Sequence, residues 1–269
     1  MFVSDKLCFL ELGKTGCSYI REILSQNIPE GSLTHIHDTI SNDLLNSNSF
    51  FLGSIRNPFD WYVSLWAFGC LKKKNDPLYS NLTSRRINPF RLSSINKNYF
   101  KKIKFIFNQL IKNIDKNKEL YSDPLNANNF REWIKIILKE ANKNQLGEHY
   151  AISNSNKFIG YMTFHYLLRF INPGKLYMLF NNEITCFEDL KKFDKRFNFI
   201  KSTIKFENID QDLLSIFNQL SIPVDKEKIF KKKPVNKSIR LKDTMSYYDE
   251  ETIKIVRQND SLIFEKYKY

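Results

Sequence analysis

Apolar and polar positions in the first third of the chain follow the two rhythms of strands and helices that pack against each other. Residues 7–12 (LCFLEL) form an apolar run of strand length, 13–18 a turn of mostly small residues, and 19–26 carry Ile20, Ile23 and Leu24 at helical spacing. Two further strands are predicted at 33–37 and 50–55. A second helix opens at Asn57-Pro58, because Asn can cap, Pro suits the first helical position, and Asp60 falls in the first turn, where negative charge is favoured. Its apolar face is Phe59, Val63, Trp66 and Cys70. From 72 to about 104 the chain turns basic and rich in Asn, Ser and Pro, which predicts loops or an insertion over the sheet, followed by mostly helical patterning to about 170. Residues 199–206 restore a β-like run, 210–220 are helical, and the tail 252–264 carries Ile253, Ile255, Val256, Leu262 and Ile263. The alternation predicts βαβ units and an α/β fold with a central, mainly parallel sheet flanked by helices. With no internal repeat and no evident linker, the reading is one domain, 1–269, with 72–170 as a helical or loop insertion.

A chain of 269 residues that is 42% hydrophobic can bury a real core. Its 42 Lys+Arg against 29 Asp+Glu give a net charge of +13, which favours anionic partners: nucleotides, acidic glycans, nucleic acids or membrane surfaces. Charge alone does not choose among them. The chain lacks basic stripes interleaved with aromatics and any nucleic-acid docking motif, so no nucleic-acid partner is expected. Cys8, Cys17, Cys70 and Cys186 lie far apart, with no CxxC pair and no metal-ligand spacing, which argues for a reducing compartment and against a metal site. Met1 leads directly into the core-like KLCFLELG, and no window reaches transmembrane length. The expected location is cytoplasmic, with peripheral contact at a membrane left open.

Gly13, Lys14, Thr15, Gly16, Cys17 and Ser18 stand between a predicted strand and a predicted helix. Small residues there let backbone amides approach an anion, the helix start adds partial positive charge, and the lysine adds a full one. A glycine-containing βα turn with a solvated lysine would read the same way. A nucleotide-triphosphatase loop needs G-x-x-x-x-G-K-[ST]. Gly13-Lys14-Thr15 supplies its end, but Cys8 occupies the place of its first glycine.

The loop, with Tyr19 after it, resembles instead the 5'-phosphosulfate loop of sulfotransferases that use 3'-phosphoadenosine-5'-phosphosulfate (PAPS), written P-K-[ST]-G-[TS]-[TS] and then an aromatic. Gly13 replaces the usual proline and Cys17 a usual hydroxyl. Downstream, GSIRNPFDWYVSLW ends a strand in Arg56 and sets Ser64 eight residues later on the next helix. An arginine can hold a phosphate through two parallel bonds and a helix-borne hydroxyl can add another. The segment resembles the same family's 3'-phosphate motif, R-[ND]-P-x-[DE]-x-x-x-S. Residues 204–223 resemble its F-E-N-L strand-to-helix segment. The tail resembles its common ending, with Asn236, Ser238, Tyr247, Tyr248 and Asp260 in the matching places. By that resemblance Asn236, Lys237 and Ser238 lie near the nucleotide, with the run 231–233 adding positive potential, and the fold is a three-layer, P-loop NTPase-like one.

His35 and His37 share one face of the predicted strand between the two motifs. Imidazole accepts a proton near neutral pH, and the carboxyl edge of a parallel sheet is where α/β folds place ligands. HDTI resembles the family's H-x-T-x, which favours His37 as base, with His35 close behind. The resemblance implies in-line transfer of a sulfuryl group from PAPS to a hydroxyl, on a carbohydrate or glycolipid, giving the bisphosphate product PAP, with no metal required. Lys14 and the loop amides would stabilise charge on the leaving oxygen. Residues 72–170 would form the acceptor side. Trp61, Trp66, Tyr79 and Trp133 could stack on sugars, although core packing accounts for most tryptophans. A P-loop nucleotide kinase with a degenerate loop, a catalytically inactive nucleotide-binding protein and a basic nucleic-acid-binding protein are the other readings.

Overall fold

The computed structural model describes the chain except residues 35–39, 74–75, 86–98, 141 and 225–237. It is an α/β protein with one five-stranded mixed sheet flanked by helices. Its residues fall into two compact units: Met1–Asn57 with His165–Leu176 and Lys192–Lys237, and Pro58–Phe164 with Tyr177–Lys191 and Ser238–Tyr269.

The first unit holds the sheet, in the order β3-β1-β2-β4-β5: β1 Phe2–Val3, β2 Leu7–Phe9, β3 Ser32–Leu33, β4 Phe50–Ile55 and β5 Ser202–Lys205. The centre is parallel, with Leu7 opposite Phe50 and Leu52 opposite Ser202. The β1 strand pairs antiparallel with both β2 and β3. That antiparallel edge is not legible in the sequence, because β1 and β3 are two residues each, too short to show a period of two. The run predicted at 7–12 is a three-residue strand whose buried continuation keeps a bond from the Leu10 amide to the Leu52 carbonyl at 2.8 Å. Helices α1 (Cys17–Asn27) and α11 (Ile209–Gln219) bury Ile20, Ile23, Leu24, Leu213, Ile216 and Phe217 in one cluster with Phe9, Leu52 and Ile204 of the sheet. Of the strand predicted at 33–37, Leu33 ends β3, Thr34 follows it outside any strand, and 35–37 lie outside the described residues.

The second unit is helical. Its helices are α3 (Pro58–Gly69), α4 (Pro77–Thr83), α5 (Tyr99–Ile111), α6 (Ile114–Glu119), α7 (Ala127–Leu138), α8 (Glu148–Ile152), α12 (Glu250–Asn259) and α13 (Ser261–Tyr267), together with the starts of α9 (Tyr161–Phe170) and α10 (Phe187–Phe197). The short α2 (Asn42–Leu45) belongs to the first unit. Asp76 caps α4 through the Leu78 and Tyr79 amides, a start signal lying unread in the stretch predicted as loops. Trp61, Trp66 and Trp133 are core residues, and Trp133 donates to the Tyr121 hydroxyl at 2.6 Å.

A buried polar knot ties the C-terminal helices into this unit. Asp260, fully buried, accepts from the Tyr62 hydroxyl at 2.7 Å, the Thr163 amide at 2.9 Å and the Thr163 hydroxyl at 2.7 Å. Gly160 admits it, since a Cβ there would sit 2.4 Å from the carboxylate. Beside it the ammonium of Lys143 donates to the carbonyls of Asn156 and Ile159 and to Asn259 Oδ1, at 2.7, 2.9 and 2.6 Å. Burial draws the Lys143 pKa down to about 8, against the opposing pull of Asp260. A pKa lowered in the fold means the unfolded chain binds more protons between about pH 8 and the ordinary lysine value near 10.4, so this residue's contribution to stability rises with pH across that window. Urea titrations of wild type and Lys143→Met should therefore differ increasingly in favour of wild type from pH 8 to 10; a flat difference would contradict the assignment.

Candidate functional site

Three chain segments leave the carboxyl ends of the parallel strands β2, β4 and β5, the place where open α/β sheets hold ligands. In the first unit these segments meet. Arg56, the residue after β4, donates from Nη1 to the Lys14 carbonyl at 2.9 Å, and its guanidinium carbon lies 3.8 Å from the centroid of the Phe206 ring after β5. The side chain is 4% exposed, so its charge has lost most of its water and is held by a carbonyl dipole and an aromatic face. The Asn57 amide donates to Glu207 Oε1 at 2.7 Å, which fixes the chain immediately after the arginine. A Cβ on Gly16 would lie 2.6 Å from Ile209 Cδ1, so the glycine lets the loop close on the β5 corner.

The loop itself carries two left-handed residues, Lys14 at φ 68° and Gly16 at φ 83°. For a lysine that conformation costs about 1–2 kcal/mol, a strain found where a turn must aim its amides. Gly16 is also the N-cap of α1 and brings no side-chain bond to the helix start. The amides of Gly16, Cys17 and Ser18 have no acceptor among the described residues. Amides without a partner at a helix N-terminus, beside a lysine, are the chemistry of an anion seat.

The side chains beneath the loop point the other way. Thr15 is fully buried; its hydroxyl bonds the Leu12 carbonyl and lies 2.6 Å from Ser54 Oγ. The Cys17 thiol donates to the Leu12 carbonyl at 3.0 Å, and burial raises its pKa, so it is a neutral packing group. Thr15 and Cys17 thus secure the loop to β4, and the thiol that departs from the sulfotransferase pattern occupies a structural place. Tyr19 donates to Asp210 at 2.8 Å and braces α1 against α11, while Ser18 is exposed and Gly13 and Lys14 are half-buried.

Lys14 and Arg56, predicted from separate motifs, are in direct contact. Ser64, half-buried on α3, and Ser238 belong to the helical unit. His35, His37, Asn236, Lys237 and the run 231–233 lie outside the described residues. Among the described residues no group of three or more His, Cys, Asp or Glu could hold a metal ion, and no helix is long and apolar enough to cross a membrane. The sequence reading assigned no role at the site to four contributors, Ser54, Phe206, Glu207 and Ile209, the last three within the segment 204–223 that it had singled out. Ser54 had left a signal, a polar residue in the otherwise apolar strand FFLGSI. The other three follow β5 and acquire their role only once that strand is set beside β4.

No protein-family model, curated protein or solved structure matches this chain.

Proposed function

We propose that the chain is a PAPS-dependent sulfotransferase of P-loop NTPase-like fold that transfers a sulfuryl group to a hydroxyl, on a carbohydrate or glycolipid. The observation that carries this reading is the bond from Arg56 to the Lys14 carbonyl, which sets the arginine of the second motif against the loop of the first. An amide-lined anion seat beside a desolvated guanidinium suits a nucleotide with two separate phosphate groups. In the reaction the acceptor oxygen attacks sulfur as the bond from sulfur to the 5'-phosphate oxygen breaks. PAP leaves, and the acceptor proton passes to a base, for which His37 and then His35 are the candidates. Lys14 and the amides of Gly16, Cys17 and Ser18 would meet the charge that grows on the departing oxygen, so the protein acts by positioning and electrostatics.

Thermal unfolding with PAP and with ATP plus magnesium separates this reading from a nucleotide kinase. PAP at about 100 times its dissociation constant should stabilise the protein by about 2.7 kcal/mol. Stabilisation by ATP with magnesium and none by PAP would overturn the proposal in favour of the kinase. Incubation with PAPS and panels of glycans and glycolipids, read as sulfate mass gain, then identifies the acceptor.

A further inference from the structure

The helix α5 is built inside out. Its inward positions are Phe105 and Gln109, continued by Lys112 just past its end, all buried, at the i, i+4, i+7 spacing of one face. Ile103, Phe107, Leu110 and Ile111, on the opposite face at i, i+4, i+7 and i+8, are 44%, 58%, 52% and 63% exposed. The inversion has a local cause. The Lys112 ammonium reaches the Asn81 carbonyl in the last turn of α4 and the Ser84 carbonyl just beyond it, at 3.0 Å for Ser84, where a helix end favours a cation, and it also donates to Gln109 Oε1. Lysine and glutamine are thereby drawn inward, and the apolar residues are left facing out.

A contiguous stripe of large apolar side chains on one helix marks an interaction surface. The charge of the segment selects the occupant. In sequence, the 38 residues between Asp76 and Asp115 carry eight Lys and Arg, of which Lys112 turns inward, and no Asp or Glu; Lys104 stands exposed beside the stripe, and the whole chain carries +13. A second copy would bring the same positive charge to the contact. Four side chains also fall short of the roughly 800 Å² per partner of a stable protein interface. A basic helix with one apolar face suits an anionic lipid surface, where the stripe enters the headgroup boundary and the cations meet lipid phosphates. We infer that the Ile103, Phe107, Leu110 and Ile111 face of α5 docks the protein onto anionic membranes. This inference stands apart from the anion seat at the sheet.

Co-sedimentation of the full chain with vesicles tests it, comparing phosphatidylcholine alone with phosphatidylcholine containing about 30% phosphatidylserine. Wild type should partition at least about tenfold more strongly onto the anionic vesicles, and Phe107→Ser with Ile111→Ser should lose that partitioning. Because both side chains are exposed, the double variant should unfold at the wild-type temperature or above and elute as wild type does. Absence of vesicle binding by wild type would overturn the inference. So would binding that survives the double substitution, a wild-type dimer that the substitution dissociates, or a fall in melting temperature showing that the chain itself covers these residues.

Discussion

Replacing Arg56 by alanine is expected to weaken PAP binding at least about 100-fold, or about 2.7 kcal/mol, in the range found when one member of a buried charged contact is truncated. The side chain is 4% exposed and anchored twice, on the Lys14 carbonyl and on the Phe206 ring. Its loss would remove the proposed phosphate partner and also release the turn that holds Lys14 at positive φ. Lysine at position 56 should recover little, because a compact ammonium can neither lie flat on the ring nor offer a planar pair of donors. Calorimetric titration with PAP, well below the melting temperature of each variant, measures both effects. Arg56→Ala binding PAP within about threefold of wild type, a change of under about 1 kcal/mol, would sink the nucleotide assignment.

The largest effect on stability is expected at Asp260. Alanine there would leave the Tyr62 hydroxyl and both donors of Thr163 buried without their acceptor and take a counter-charge from near Lys143, a loss of about 3–5 kcal/mol. Asparagine keeps an acceptor oxygen of nearly the same shape and should lose less. Burial raises the Asp260 carboxyl above its ordinary value, so the fold binds this proton more tightly than the unfolded chain does. The contribution of Asp260 accordingly falls as pH rises from the ordinary carboxylate value through the raised one. Denaturant unfolding followed by near-ultraviolet dichroism, which reports the tryptophans of this unit, measures the loss. Asp260→Ala within about 1 kcal/mol of wild type would show that the knot is dispensable.

The legible parts of the fold were those in which local pattern and tertiary role agree. The apolar strand 50–55 and the helix opening at Pro58 stand where the sequence puts them, because a continuous apolar run and a Pro at the first helical position are strong local signals. The helix start after the loop was read two residues late, since Gly16, a left-handed N-cap without a side-chain bond, resembles an ordinary turn residue. The antiparallel edge was hidden by strands two residues long. Division into two units could not be read either, because α9 and α10 each pass from one unit to the other without a break in pattern. At the site, Lys14 and Arg56 were legible as cations at strand-to-helix corners. The third corner was legible only as a strand-to-helix segment: the roles of Phe206 beneath Arg56 and of Glu207 at the Asn57 amide, partners 150 residues earlier in the chain, come only from strand order.

The inward turn of Thr15 and Cys17 bears on how such loops change over time. Thr15 and Cys17 are fitted to the floor they rest on, Leu12 and Ser54, while the surface proposed to meet an anion is peptide backbone common to every residue type. A loop of this kind can be respelled whenever the floor changes with it, and keep its grip. Its ancestry can therefore fade from the written sequence long before its shape is lost.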